Sequence, residues 1–313
     1  MNLSPLLDAV DSAASQFGAL DARFLLPALG LQLLVLALRA LAWRGVLAAA
    51  YPGRRIPFLS VGAAYVTGVA LNAFTPARGG ELAKIAIVRA RVAGTTVPTI
   101  VASLGVLVAL DVLVGAGLLA AVWATGGLPV LPSLPGTAVV VVGAVALVAT
   151  GIGSGLAYRL RPAFVRDVLG RVAQGFAILR TPGRYLVTVL PFQMGAWAAR
   201  IGVVFLVLSA FDIEATLPMA ALVVVLNGAA TATPVPGGAG TQQVLATYAL
   251  HGAVSVATAV SFSVGLQLGV TVVNTLVGLT ALMVLFRTVR PLAVASSTRA
   301  LVARSRPRAG DDI

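Results

Sequence analysis

The chain has no cysteine, a single lysine (Lys84) and a single histidine (His251), and charged residues make up only 10% of it. Without cysteine there are no disulfides, thiolate metal sites or cysteine nucleophiles, and the redox compartment cannot be read. No carboxylate pair, histidine cluster or metal-ligand set is visible, so neither general acid–base catalysis nor a bound metal is indicated. Nothing resembles a Walker A loop, so direct use of ATP is not expected. No cofactor is implied. The first 23 residues carry Asp8, Asp11 and Asp21 against Arg23 and lack the basic start and cleavage site of a signal peptide.

What fills the chain instead is apolar. Hydrophobic residues make up 59% and the mean hydropathy is +0.99, well outside the soluble range. Several uncharged runs reach the roughly 20 residues that a helix needs to cross about 30 Å of hydrocarbon, so an all-α polytopic membrane protein is expected rather than a barrel. The net charge of +12 is carried almost wholly by arginine. These arginines lie in short loops beside apolar runs, which suits membrane orientation and anionic lipid headgroups better than nucleic acid.

Taken in order, a first span runs from about Phe24 to Ala42 and ends in Arg39, Trp43 and Arg44, read as an interfacial anchor. Then comes the chain's densest cluster of Pro, Gly, Asn and mixed charge, from Leu71 to Arg91. Phe58 to Leu71 and Gly80 to Arg91 would each be roughly 18–21 Å long as helix, too short to cross. If this segment entered, broke near Asn72 to Gly80 and returned, Arg54, Arg55, Arg89 and Arg91 would share the cytosolic side, as the positive-inside rule prefers. A re-entrant helical hairpin opening to the cytosol is therefore predicted. A span follows from about Val97 to Ala121, with Asp111 near its middle. A connecting span is expected over 137–158, and then a basic loop, Arg159 to Arg184, with the apolar stripe of a surface-lying helix. A further span, about Tyr185 to Ala210, carries Gln193 and Arg200.

The motif of the first hairpin then reappears. Leu226-Asn227, Thr233-Pro234 and Gly237-Gly238 lie between apolar segments of about 14 or 15 residues, each too short to cross untilted. This predicts a second hairpin, opening outward beside the acidic Asp212 and Glu214, before a last span from about Val260 to Phe286. The expected architecture is thus about five full spans plus two oppositely oriented re-entrant hairpins, an inverted repeat of the kind transporters use. Chance recurrence of common residues is the competing reading. One integral membrane domain is expected over residues 1–290, with a first half at about 24–122, the connecting span at 137–158 and a second half at about 185–287. Residues 291–313 are expected to form a basic cytosolic tail. The N-terminus is expected outside and the C-terminus in the cytosol, in the cytoplasmic membrane.

The ordered set Arg39-Ala-Leu-Ala-Trp-Arg44, Asn72, Pro76-Ala-Arg-Gly-Gly-Glu81, Asp111 and Pro236-Gly-Gly-Ala-Gly240 resembles the membrane domain of the lysylphosphatidylglycerol synthase family, also described as flippase-like proteins. The resemblance covers nearly the whole chain. It implies movement of a lipid with a modified or glycosylated headgroup across the bilayer. Some members carry a soluble aminoacyltransferase domain after this one. Here the chain stops at Ile313, so that activity is not implied. Three departures stand out: Gln242 and Gln243 where an acid often follows the second glycine turn, Leu107 and Val108 in place of an acidic–basic pair, and a missing first span.

The residues themselves suggest a chemistry. Arg78, Gly79, Gly80 and Lys84 sit at the expected start of a returning half-helix, where amide groups and the helix dipole receive a phosphate and arginine adds a bidentate fork. Glu81 would balance charge or accept from a sugar or amine, and an Arg78–Glu81 pair fastening the turn is equally open. Asn72, Asn227, Gly237, Gly238 and Gln242 complete the expected binding set. Asp111 and Arg200, acid and base at membrane depth, are expected to pair across the halves as a structural contact or a gate. Asn72, Thr75, Gln193, Asn227, Thr231, Thr233, Gln242, Gln243, Gln267 and Asn274 form a candidate polar track, although some of them are expected simply to bond to neighbouring helices. The leading function is a non-enzymatic lipid translocase for an anionic or lipid-linked headgroup. A non-transporting protein that presents a lipid to a partner transferase is the alternative, and a membrane-embedded transferase ranks below it. Other partners left open are a second copy of the chain and anionic membrane lipid.

Overall fold

The computed structural model describes residues 21–75, 79–124, 162–231, 238 and 240–286, and these contain helices and no strand. In chain order the helices are α1 (Ala22–Ala50), α2 (Phe58–Asn72), α3 (Gly80–Arg91), α4 (Val97–Ala124), α5 (Pro162–Gly175), α6 (Pro182–Thr188), α7 (Leu190–Ala210), α8 (Leu217–Ala230), α9 (Thr241–Ala249) and α10 (Val256–Phe286). Among the described residues, four stretches are long and apolar enough to cross a membrane: Ala22–Ala50, Val97–Val122, Pro182–Ala210 and Val256–Leu285. The connecting span expected over 137–158 and the basic tail fall outside the described residues.

Local chemistry sets the helix boundaries. Asp21 caps α1 by accepting from the Arg23 amide at 2.9 Å, an ordinary N-cap. Beyond α2, the Thr75 hydroxyl turns back to the Leu71 carbonyl at 2.7 Å, just before Pro76, whose ring disfavours helical backbone in the residue ahead of it. α8 starts with Thr216 accepting from the Met219 amide at 3.3 Å and with proline in its first turn. α9 starts after Gly240, whose φ of +79° is the left-handed backbone that glycine adopts readily.

Contacts fix the directions of the long helices. In α1, Leu31, Leu38 and Gly45 face Gly202, Gly195 and Thr188, so α1 and α7 pack antiparallel. The seven-residue step keeps one helical seam in register, and small residues along it let the backbones approach, as membrane helices favour. Arg39 meets Asp111 and Trp43 meets Ser103, so α1 is also antiparallel to α4. Gln193 reaches the Leu107 carbonyl and Trp197 reaches Asp111, so α4 and α7 run parallel.

Each short pair begins and ends at one end of the bundle. Arg54, ahead of α2, donates to the Ala93 carbonyl just beyond α3, and Arg91 donates to the Leu285 carbonyl near the end of α10. At the other end, the Phe211 and Phe262 rings meet edge-on at 5.9 Å, placing the close of α7 beside the start of α10 and bracketing α8 and α9. The pairs are also exchanged: α2 packs on α10, and α8 packs on α4. A Cβ on Gly278 would lie 2.5 Å from that of Ala70, so the α2–α10 crossing is a backbone-close contact.

Two apolar clusters fill the interior. One gathers Trp43, Leu47, Val61, Val88, Ile100 and Ile178; the other gathers Val204, Leu208, Leu222, Val223, Leu250 and Phe262. Arg39, Asp111 and Asn274 lie between them along α1, α4 and α10. Large apolar side chains such as Leu26, Leu59, Leu113 and Val187 point outward and exposed, the distribution expected when lipid is the solvent.

Two expectations need correction. The first helix does not end at Ala42 in an interfacial anchor: it continues to Ala50, Trp43 is fully buried, and Arg39 is buried in an ion pair. The returning helix of the second pair, α9, has only 9 residues, because the chain turns at Leu250 to Ser255 before entering α10.

Candidate functional site

The first pair is closed by Asn72. Its Oδ1 accepts from the Gly80 amide at 2.9 Å and its Nδ2 donates to Glu81 Oε1 at 3.1 Å, tying the end of α2 to the start of α3. The clamp works because Gly68 and Gly80 carry no side chains: a Cβ on Gly80 would overlap the Gly68 carbonyl oxygen. That approach leaves Lys84 facing inward. Its Nζ donates to Glu81 Oε1 at 2.8 Å and lies 4.6 Å from the centre of the Tyr65 ring, within cation–π range. The chain's only lysine is thus 5% exposed.

A second charged cluster joins three long helices. Arg39 Nη1 donates to Asp111 Oδ2 at 2.6 Å, and Trp197 Nε1 donates to Asp111 Oδ1 at 2.9 Å. The Arg200 guanidinium lies 5.7 Å from the Trp197 ring centre. The ionic partner of Asp111 is therefore Arg39, not Arg200. Register explains this: Trp197, one turn before Arg200 on α7, takes the position against the carboxylate. Farther along, Gln32 donates to Asn274 at 2.9 Å between α1 and α10.

Both clusters open onto one cavity of about 670 Å³. The first half contributes Arg39, Asn72, Glu81, Lys84 and Asp111 to its wall, and the second half Arg200, Asn227, Thr231, Gly238, Gln242 and Gln267. Asn227 Oδ1 is buried and has no hydrogen-bond partner among the described residues. Among the charged side chains in this wall, cations outnumber acids by one.

The structure thus brings Asn72, Glu81, Lys84, Asp111, Arg200, Asn227, Gly238 and Gln242 to one space, along with Thr75, Thr231, Gln267 and Asn274. Gly80 lies at the α2–α3 crossing and Gly79 caps α3, and neither belongs to the cavity wall. Arg78, Gly237 and Thr233 lie outside the described residues. Gln193 departs from the expected track: it is fully buried and links α7 to the Leu107 carbonyl at 3.1 Å. Gln243 is turned to Gln267 at 2.7 Å. His251 is exposed in the turn before α10. Sequence reasoning missed the role of Arg39, together with Gln32, Tyr65 and Thr271. The available signal was Arg39 itself, which lies well inside a long apolar run where an arginine needs a partner.

These features define a polytopic helical membrane protein with a charged cavity at the junction of its long helices and short pairs. A family model described as "Lysylphosphatidylglycerol synthase TM region" matches residues 6–278; the chain belongs to this family, and so to a class of lipid-related membrane proteins. No curated protein and no solved structure matches the chain.

Proposed function

We propose that this protein carries a lipid with a phosphate-bearing headgroup across the cytoplasmic membrane, and that it is a transporter rather than an enzyme. The observation that carries this reading is the cavity walled by both halves, in which buried Arg39 and Lys84 stand beside neutral amides and hydroxyls. Ionised groups are tolerated at such depth where they face a wet or protein-lined interior. A phosphate entering there meets two cations that are each already paired with a carboxylate, Lys84 with Glu81 and Arg39 with Asp111, and it shares or takes over one of those pairings while the acyl chains stay in lipid beside the exposed apolar faces.

In this reading the two short pairs are re-entrant hairpins, entering from opposite faces, and the antiparallel α1–α7 seam supports an inverted repeat able to present one site to either side. The end of the bundle carrying Arg54, Arg55, Arg89 and Arg91 faces the cytosol, which puts the N-terminus outside. Arg78, beside Gly79-Gly80 in the sequence, stays a proposed member of the headgroup clamp.

Purified protein in phosphatidylcholine vesicles, doped with tail-labelled phosphatidylglycerol, gives the test. Protein should accelerate loss of inner-leaflet label to an external quencher, and Lys84→Met should slow it at least about tenfold, equivalent to ~1.4 kcal/mol. Binding without flux would make the protein a presenter of lipid instead. A Lys84→Met protein as fast as wild type would remove the cavity from the route.

A further inference from the structure

The headgroup class follows from where the acids are. Of the acidic residues among those the structure describes, Glu81 and Asp111 reach the cavity wall. Asp21 is held by Arg23 and Asp167 by Arg171, while Asp212 and Glu214 are exposed in the α7–α8 turn. Both cavity acids already have a cation: Glu81 has Lys84 at 2.8 Å, and Asp111 has Arg39 at 2.6 Å. An incoming ammonium would meet a carboxylate only alongside the cation that holds it, in a wall where positive charge is already in excess. Like charges at such separations repel strongly once water is excluded.

The second half supplies something different. Apart from Arg200, its polar contributions to the wall are uncharged, and they include the buried Asn227 Oδ1, an acceptor with no partner among the described residues. Such an oxygen is costly until a donor reaches it, and a neutral hydroxyl can do so without adding charge.

We infer that the cargo is a monoanionic phosphodiester lipid whose headgroup ends in neutral hydroxyls, a polyol or sugar, and that an aminoacylated or other amine-bearing headgroup is refused. This rests on the translocation reading for the site, but not for its test. The phosphodiester meets the cations of the first half, and the hydroxyls meet Asn227 and its neighbours.

The experiment compares phosphatidylglycerol, phosphatidylinositol and lysyl-phosphatidylglycerol, each as short-chain lipid, by thermal shift of the purified full-length protein in neutral detergent. The same three, tail-labelled, are compared by flux in phosphatidylcholine vesicles. The hydroxyl-bearing anions should raise Tm and the lysyl ester should bind at least about tenfold more weakly. Gln242→Glu, which adds a carboxylate to the wall, should narrow that gap. Asn227→Leu should weaken the two polyol lipids. Equal or tighter binding of the lysyl ester overturns the inference, even where flux of all three upholds translocation. A discriminating Tm response with no flux upholds the headgroup class and overturns translocation instead. A response to inorganic phosphate alone, with none to any lipid, assigns the site to a free anion and overturns the inference.

Discussion

Asp111 accepts from Arg39 on one oxygen and from Trp197 on the other, at 2.6 and 2.9 Å, so that a single carboxylate on α4 holds both α1 and α7. Its environment is mostly closed, with side-chain exposures of 8% for Arg39 and 26% for Asp111. Removing one member of such a pair leaves the other charge uncompensated, typically at a cost of about 3–5 kcal/mol, whereas an apolar replacement of both is often neutral. Arg39→Met and Asp111→Asn should each lower Tm in detergent by several degrees. The double variant Arg39→Met, Asp111→Leu should recover most of that loss, and failure to recover would show that the pair is held for more than charge balance.

The two hairpin asparagines should behave differently. Asn72 makes two hydrogen bonds across the α2–α3 turn, so Asn72→Ala should destabilise by about 1–3 kcal/mol. Asn227 Oδ1 has no partner among the described residues, so Asn227→Leu should be neutral or stabilising in ligand-free protein. Thermal unfolding of the two variants side by side checks this, and equal losses would contradict the clamp assigned to Asn72.

Glycine contacts set a graded series. A Cβ on Gly80 meets the backbone oxygen of Gly68, and one on Gly45 comes within 2.8 Å of the Thr188 carbonyl oxygen; backbone cannot yield as a side chain can. On Gly202 the nearest atom, at 2.8 Å, is the tip of the Leu31 side chain, and Gly117 has nothing within 4 Å. Gly80→Ala and Gly45→Ala should therefore cut the yield of monodisperse protein sharply. Gly202→Ala should be mild. Gly117→Ala should match wild type or gain up to about 1 kcal/mol from helix propensity. Size-exclusion profiles after extraction give the ranking.

The Lys84–Glu81 pair offers a separate check. Lys84→Arg keeps the charge but replaces a compact ammonium with a longer planar fork, which is not conservative at a packed site. With the Tyr65 ring 4.6 Å from Nζ, Lys84→Arg should retain binding of anionic lipid at reduced affinity, while Lys84→Met should lose it. Equal loss in both would mean that the shape of the pocket, not its charge, selects the ligand.

Much of this was legible from residue order. Apolar run lengths anticipated the long helices and the two short pairs, because hydrocarbon thickness and helical rise leave few other solutions. Eight of the twelve residues proposed for binding or for the charge pair line one cavity, since in a chain with so little charge the polar residues have few other places to go. Arg39 was misread for a physical reason: the Arg-Trp-Arg pattern suits an interfacial anchor, and only the continuation of α1 to Ala50 shows that Arg39 and Trp43 are interior. Gln193 was left between two roles because a buried amide beside a cavity and one that staples two helices look the same in sequence, and its bond to the Leu107 carbonyl decides for the second.

The amino-acid order alone determined the solvent, which apolar runs are long and which are short, and the scarcity of acids, all of which depend on composition and on spacing along a single chain. Which cation neutralises Asp111, which asparagine is clamped and which has an oxygen without a partner among the described residues, and that both halves share one cavity were decided only in three dimensions. Those outcomes depend on helix register and on how closely the glycine-bearing faces approach, and these are relationships between segments that no local pattern encodes.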